Sequence, residues 1–179
     1  MITTESVEAM QSNPMLKPRI DKVVVNVSVG KSGEPLEKAM KIIQELTEQK
    51  PCIRKAKKTI RDFGIRKNEP IACIVTLRGQ KATSFLKKAF SAVDNKIRGE
   101  CIDKLGNLSF GIKEHIDIPG VKYNPELGII GMDICISLSR PGYRVKWRRR
   151  AKSKVGKDHL LTPEETISFL KEEFGVEIL

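Results

Sequence analysis

The segment from Ile20 to Val29 constrains the fold more than any other feature of the sequence. Every second residue from Val23 to Val29 is valine, whereas the intervening positions include Asn26 and Ser28. Side chains of a β-strand point alternately to its two faces. The pattern therefore predicts a strand with one wholly apolar face and one partly polar face.

The same alternation recurs in two later segments, Ile71–Arg78 and Met132–Ser139. Three strands that each carry one apolar row predict a largely antiparallel sheet, with helices packed on the apolar side and the other face left open. Small polar and charged side chains are expected on this open face. They are Asn26, Ser28, Thr76, Arg78, Ser137 and Ser139.

Apolar residues at helical spacing predict the helices of the fold. The predicted helices cover 3–11 (a weak pattern), 35–49, 81–97 and 163–174. The last of them opens with a capping box, Thr162-Pro163-Glu164-Glu165, and is expected to end at Gly175. Further extended segments are predicted at 52–59, 63–65 and 109–112.

The order of these elements decides the fold class. Helices and strands do not alternate strictly, so we predict an α+β fold rather than a doubly wound parallel sheet. No repeat and no low-complexity linker divides the chain. Residues 1–179 are therefore predicted to form a single domain.

The net charge of +11 is concentrated in two stretches, a basic loop at 50–67 and a basic segment at 140–157. The first contains eight basic residues and one acid, the second contains nine and none, and the rest of the chain has more acids than bases. Patches of one sign on a mildly acidic body are typical of proteins that bind a phosphate backbone. One alternative is that the stretches are ordinary solvated surface, but such a surface usually mixes charge signs. The other is membrane binding, but a membrane-binding helix needs a broad apolar face that neither stretch has. With no apolar run of membrane-spanning length and no secretory signal, a cytoplasmic protein is expected.

Two short motifs could suggest catalysis. Gly30-Lys31-Ser32 stands between a strand and a helix, but Val25 occupies the position where a phosphate-binding loop needs a glycine. Glu114-His115-Ile116-Asp117 groups an imidazole with carboxylates, yet the sequence shows no nucleophile to partner it. No other catalytic signature is present, so we predict no catalytic residue and no enzyme.

Metal binding and redox chemistry have no support in the sequence either. The cysteines are far apart and form no CxxC pair, and the chain has only two histidines. This spacing argues against a zinc site, so no metal and no cofactor is predicted. Four buried, reduced thiols are expected instead, at Cys52, Cys73, Cys101 and Cys135.

Aromatic side chains are scarce, and none lies on the predicted open face. Sheet proteins that read single-stranded RNA stack bases on strand aromatics. Recognition through phosphates, sugars and shape is therefore expected, which suits folded RNA. Tyr143 and Trp147 stand among cations, where they could stack on a base or anchor the basic segment to the body, and we slightly favour the anchor.

Five ordered blocks of the sequence resemble the family of the universal large-subunit ribosomal protein number five. They are 22–30, 55–66, 74–79, 109–117 and 131–133. The resemblance extends from about Asn13 over nearly the whole chain. The basic segment and the last helix resemble the archaeal and eukaryotic branch, and the short tail favours the archaeal one.

This resemblance implies a structural constituent of the large ribosomal subunit that binds 5S rRNA in the central protuberance. It also implies that the protein helps to attach 5S rRNA to 23S rRNA and contacts the P-site tRNA. Neighbouring ribosomal proteins of the central protuberance are further implied partners, together with a small-subunit protein across an intersubunit bridge. The alternative is a non-ribosomal binding module or an enzyme on the same fold.

Carried over position by position, the family's 5S rRNA contacts fall on Asn26, Gln49, Thr76 and Arg78. Three of these four belong to the open face predicted from alternation. Their joint presence with the loop at 61–68 favours a ribosomal protein over a non-ribosomal module or enzyme. The tRNA-facing loop falls on Arg61, Asp62, Phe63, Gly64, Ile65, Arg66, Lys67 and Asn68. Charge alone predicts general contacts to the rRNA backbone at Lys55, Lys57, Lys58, Arg144, Lys146, Arg148, Arg149 and Arg150.

Overall fold

A computed structural model describes residues 13–121 and 123–179, so the helix predicted at 3–11 lies outside the described residues. The strands are β1 (Arg19–Ser28), β2 (Cys52–Lys55), β3 (Pro70–Leu77), β4 (Lys96–Ile97), β5 (Leu108–Ile112), β6 (Met132–Ser139) and β7 (Glu177–Ile178). The helices are α1 (Glu34–Thr47), α2 (Gln80–Ser91), the single turn α3 (Arg144–Trp147) and α4 (Pro163–Phe174). Short 3-10 turns lie at Gly99–Cys101, His115–Asp117 and Lys157–His159.

Five strands form one sheet in the order β2-β3-β1-β6-β5, and every neighbouring pair is antiparallel. The three alternating segments of the sequence provide the central strands β3, β1 and β6. This confirms the α+β class and the antiparallel sheet. A separate parallel pair, β4 with β7, ties the end of the chain to the turn after α2.

The apolar rows of the central strands form one wall of the core. Val23, Val25 and Ile134 are fully buried in this wall. The helices α1, α2 and α4 contribute further core side chains, the largest fully buried ones being Ile43, Leu86, Phe90 and Leu170. Removing one such side chain from water stabilises the fold by about 1.5–3 kcal/mol. Burial of these side chains therefore holds the helices on the apolar side of the sheet.

The first two helices end earlier than the sequence predicts, and left-handed residues lie at the end of the first and in the turn after the second. Glu48 adopts a φ of 52° directly after α1, two residues before the expected end. The helix expected at 81–97 ends at Ser91, and its last residues were wrongly predicted. Asp94 and Asn95 take φ values of 53° and 56°, which non-glycine residues other than Asn and Asp rarely adopt, and these turn the chain into β4.

The predicted capping box is confirmed at the start of α4. Thr162 Oγ1 accepts a hydrogen bond from Glu165 N, and Glu165 Oε2 accepts one from Thr162 N at 3.1 Å. Gly175 ends the helix with a φ of 65°. The capping box fixes where the last helix begins. It thereby places Glu165, which also contacts Arg140 of the basic segment.

Candidate nucleic-acid interface

The open face is the side of the five-stranded sheet that faces away from the helices. One cross-strand row on this face joins Cys52, Ile74, Asn26, Asp133 and Gly111 as successive Cα partners. Neighbouring strands lie about 4.8 Å apart, so the row is about 19 Å wide. Asn26 lies at its centre, on the middle strand.

The next row along the strands joins Thr76, Val24, Cys135 and Ser109. Residues two apart on a strand are separated by about 6.6 Å, so Thr76 stands one row from Asn26 and one strand away. The side chain of Thr76 is exposed. Its hydroxyl can donate one hydrogen bond and accept others from a partner.

Asn26 is held by two neighbours on the same face. Its Nδ2 donates to Ser28 Oγ at 3.3 Å and to Asp133 Oδ2 at 3.4 Å. Asp133 was not singled out from the sequence, although the alternation of β6 places it on this side. Its carboxylate repels phosphates, so the centre of the face suits groups that donate hydrogen bonds, such as ribose hydroxyls and base amino groups.

Arg78 stands just past the end of β3 and contacts Asp21. Its Nη1 donates to Asp21 Oδ1 at 3.1 Å and to the Asp21 carbonyl at 3.2 Å, while the arginine side chain stays 60% exposed. Asp21 lies in an irregularity of the β1–β6 pairing between Ile20 and Lys22. The exposed ion pair of Arg78 with Asp21 contributes only about 0–1 kcal/mol. A charge-assisted hydrogen bond from Arg78 to a phosphate would contribute about 1.5–3 kcal/mol. Asp21 therefore orients the guanidinium without preventing a phosphate from binding it.

Gln49 lies at the edge of the face rather than on it. It is exposed and follows the left-handed Glu48 that ends α1. β2 runs antiparallel to β3 with Cys52 opposite Ile74. The chain before Cys52 is therefore directed along the sheet edge toward the end of β3 that carries Thr76.

The expectation of an open-face position was wrong for Ser139, whereas Ser137 lies on that face but is partly covered. Ser139 is buried, with 8% of its surface exposed, and Ser137 is half-buried. Ser137 Oγ donates to Asn107 Oδ1 at 3.2 Å. Alternation fixes the side of the sheet on which these residues lie, but it does not show which other segments cover that side.

The expectation of four buried thiols was also wrong, although all four are free. Cys73 is fully buried on the core side, and desolvation raises its pKa to about 11. Cys101 is half-buried. Cys52 and Cys135 are exposed on the open face, where short side chains leave the surface uncovered.

The residues predicted to face tRNA form the end of a basic hairpin, defined as residues 56–69. Ile60 and Ile65 exchange backbone hydrogen bonds of 2.9 and 3.1 Å, and Gly64 N donates to the Arg61 carbonyl at 2.9 Å. Gly64 has a φ of 66°, a conformation in which a side chain would be strained. The turn places Phe63 at the tip, with 75% of its surface exposed. The remaining hairpin residues of the predicted loop, Asp62, Arg66, Lys67 and Asn68, are exposed.

Glu69 fixes the base of the hairpin. Its carboxylate accepts hydrogen bonds from Arg66 N and from Ser32 Oγ, both at 2.9 Å. These two hydrogen bonds lower the pKa of Glu69, and the bond from Arg66 N has the larger effect. Ser32 of the rejected phosphate-loop motif thus has a structural role, and it links the hairpin to the loop after β1.

The remaining side chains of the first basic stretch are available to a partner. Lys55 ends β2, and Lys57 and Lys58 follow it at the start of the hairpin; all three are exposed. Their charges extend from the edge of the open face to the tip of the hairpin. One continuous basic surface therefore lies beside the sheet.

The first residue of the basic segment does not belong to its surface. Arg140 is only 3% exposed, forms an ion pair with Glu165 and donates to the Leu160 carbonyl at 3.4 Å. The sequence showed Glu165 only as a capping residue, and its second role depends on the packing of α4. The exposed basic side chains of the segment are Arg144, Lys146, Arg148, Arg149, Arg150, Lys152, Lys154 and Lys157.

The two aromatic residues of the basic segment behave differently. Tyr143 is an anchor, because its hydroxyl donates to the His159 carbonyl at 3.2 Å and accepts from Leu161 N at 3.0 Å. Trp147 is 62% exposed, and the preference for an anchoring role does not fit this position. Lys22 Nζ and Lys146 Nζ each lie 5.8 Å from the centre of its ring.

The histidine motif set aside in the sequence is structural. His115 is 3% exposed, and its Nδ1 accepts a hydrogen bond from Ile130 N at 3.3 Å. His159 lies beside Tyr143, with its Nε2 2.9 Å from the Pro141 carbonyl. Both imidazoles thus serve to hold loops in place. In the described part of the chain, no helix has the length and apolar character that a membrane crossing requires.

Comparison with known proteins identifies relatives over nearly the full length. The family model of ribosomal protein L5 matches residues 13–66, and the model of the C-terminus of the same ribosomal family matches residues 70–169. The large ribosomal subunit protein uL5 of Pyrobaculum aerophilum is 53% identical over 94% of this chain and 94% of the relative. That of Aeropyrum pernix is 52% identical over 97% of this chain and 91% of the relative. That of Nitrosopumilus maritimus is 47% identical over 98% of both chains.

Proposed function

Because the chain belongs to the ribosomal protein L5 family, we propose that it binds 5S rRNA through the open face of its sheet. Its membership makes it a structural protein of the large ribosomal subunit, of the archaeal branch, and not an enzyme. Its place is the ribosome, which is cytoplasmic in archaea. The identity of the bound RNA and the residues that bind it are the proposal.

One observation carries this proposal most directly. Asn26 is distant in the sequence from Thr76 and Arg78, yet all three lie on the same side of the sheet, away from the core. No side chain among them contributes to the core. Their amide, hydroxyl and guanidinium groups offer hydrogen bonds to ribose, base edge and phosphate, and Gln49 adds an amide at the sheet edge.

The open face favours a folded RNA over a flexible single strand. Its described strand residues include no aromatic side chain that would stack successive bases, since Phe110 of β5 is directed to the core. A surface about 19 Å wide without stacking aromatic residues instead suits contacts to the sugars and phosphates of a helical RNA. Arg78 supplies the positive charge at one end, and the basic hairpin supplies more at the side.

We further propose different partners for the two basic surfaces. The tip of the hairpin, with Phe63 flanked by Arg61 and Arg66, projects from the sheet and would contact the P-site tRNA. The exposed basic side chains from Arg148 to Lys157 would bind 23S rRNA and so help to attach 5S rRNA to it. Other ribosomal proteins, including one of the small subunit, remain predicted partners, and residues 1–179 remain a predicted single domain.

The test is 5S rRNA binding by a double variant, Thr76→Ala with Arg78→Ala. Loss of one charge-assisted contact costs about 1.5–3 kcal/mol, so affinity should fall about ten- to a hundredfold. The matched control is Ser84→Ala with Lys87→Ala, which makes similar changes at exposed positions of α2, on the other side of the sheet. If the first double variant keeps its circular dichroism spectrum and binds 5S rRNA like the wild type, the open face is not the binding surface.

A further inference from the structure

Trp147 is the only tryptophan of the chain, and 62% of its surface is exposed. Its ring stands near two ammonium groups, because Lys22 Nζ and Lys146 Nζ each lie 5.8 Å from the ring centre. A large aromatic surface that is exposed among cations is not explained by core packing. It fits a partner that combines a flat apolar group with negative charge.

Lys22 places this ring beside the open face. It lies on the same side of β1 as Asn26, and its Cα partner on β6 is Ser137. Two residues of a strand span about 6.6 Å, so Lys22 is one row from the row that contains Thr76. An RNA that covers the open face therefore lies within reach of Trp147.

A groove of about 580 Å³ adjoins the ring. One part of its wall is apolar, with Leu105 and Leu160, and another part is basic, with Lys152 and Lys154. Its volume falls within the range of roughly 300–1,000 Å³ that is typical of small-molecule sites. A single nucleotide has the matching composition, a flat base joined to an anionic phosphate.

We propose that Trp147 stacks on an unpaired base of the RNA that covers the open face, while Lys22 and Lys146 pair with adjacent phosphates. This inference rests on the proposed binding of 5S rRNA and adds a base contact at its edge. Stacking on an aromatic side chain strengthens binding about five- to 150-fold per base. An exposed cation–π contact contributes only about two- to fivefold. A base therefore displaces an ammonium group from the ring, and that ammonium group gains a phosphate partner.

The emission of the wild-type protein tests this directly, because Trp147 is its only indole. Three RNAs are titrated into the full chain: 5S rRNA, a ten-residue oligoadenylate, and an abasic oligomer of the same length and charge. We expect 5S rRNA and oligoadenylate to quench the emission and to protect the indole from acrylamide. The abasic oligomer should bind through its phosphates and leave the emission unchanged.

Two substitutions separate stacking from charge. Trp147→Leu should weaken oligoadenylate binding about five- to a hundredfold without changing the dependence of binding on salt, and Trp147→Phe should retain part of the affinity. Arg149→Gln is the control at a nearby exposed position. It should lower the salt dependence by somewhat under one unit of the log–log slope and leave the quenching intact. Should Trp147→Leu unfold the protein, the wild-type titration still decides.

The outcomes also separate this inference from the proposed function. If a filter assay shows that 5S rRNA binds while the indole stays unquenched and open to acrylamide, the stacking site is refuted and 5S rRNA binding stands. Equal quenching by the abasic oligomer would also refute stacking. If 5S rRNA does not bind but oligoadenylate alone quenches, the proposed function fails and the stacking site stands.

Discussion

The buried ion pair of Arg140 and Glu165 makes the strongest prediction for stability. Arg140 is 3% exposed, and the side chain of Glu165 is 22% exposed. Replacing Glu165 with alanine leaves a guanidinium group in the interior without its counter-charge. Removal of one partner from a buried pair typically costs about 3–5 kcal/mol, so Glu165→Ala should lower the Tm by about 6–20 °C in a chain of this size.

Three further variants show whether this cost comes from the buried charge. Thr162→Ala removes the hydroxyl of the capping box and should cost only about 1 kcal/mol. Glu164→Ala removes a neighbouring exposed carboxylate of the same helical turn and should cost about 0.3–1 kcal/mol. Arg140→Met removes the charge and keeps much of the volume, so it should be far milder than Glu165→Ala.

Urea unfolding followed by circular dichroism measures all four variants under one protocol. The same variants address the basic segment, because Arg140→Met should leave the salt dependence of RNA binding unchanged. If Glu165→Ala costs no more than Thr162→Ala, the ion pair does not stabilise the fold as described. If Arg140→Met reduces the salt dependence as strongly as Arg149→Gln, Arg140 belongs to the RNA-binding surface after all.

Three other predictions concern the basic surfaces. The lowered pKa of Glu69 means that its support of the hairpin is complete above the usual carboxyl range and is lost as the pH falls through the lowered pKa. The protection factor of the Arg66 amide, which compares its exchange with that of an unfolded peptide at the same pH, should therefore fall in acid, and an equal protection factor across that range would contradict this. A hairpin variant carries Arg61→Gln, Arg66→Gln and Lys67→Gln. It should leave 5S rRNA affinity intact but impair tRNA positioning in assembled subunits. If it instead loses 5S rRNA affinity and positions tRNA normally, the hairpin binds 5S rRNA and not tRNA. A variant of the basic segment carries Arg148→Gln, Arg149→Gln and Arg150→Gln. The log–log slope of its rRNA binding against salt should be shallower by somewhat under one unit per phosphate contact removed, and similarly so for unrelated folded RNAs. An unchanged slope would show that these arginines do not contact phosphates.

Local periodicity was sufficient to predict the sheet. A period of two residues places side chains on alternate faces whatever the rest of the chain does, so the sequence pattern alone assigns Asn26 and Thr76 to one side. The largely antiparallel character of the sheet was also predicted, from the single apolar row of each strand. The end of α2 could not be predicted in this way, because Asp94 and Asn95 can continue a helix or take left-handed conformations.

Long-range packing accounts for what the sequence did not predict. Alternation placed Ser139 on the polar side of β6 but could not show that this end of the strand is covered. Charge counting placed Arg140 in the basic segment and could not show that its side chain is buried, because its partner Glu165 is 25 positions away. The support that Asp21 gives to Arg78 depends on an irregularity in the β1–β6 pairing, which no sequence pattern indicated.

Protection of the exposed thiols by 5S rRNA is the most direct test of whether this RNA covers the open face, because it uses the unmodified protein. Cys52 and Cys135 lie on two adjacent rows of the open face, whereas Cys73 is buried with a raised pKa of about 11. Alkylation with N-ethylmaleimide, followed by mass spectrometry, reports each thiol separately with and without bound RNA. Binding of 5S rRNA to the open face predicts that Cys52 and Cys135 react rapidly in the free protein and slowly in the 5S rRNA complex, while Cys73 reacts slowly in both. Alkylation of Cys52 and Cys135 at the rate of the free protein, in a sample where 5S rRNA is bound, would contradict it.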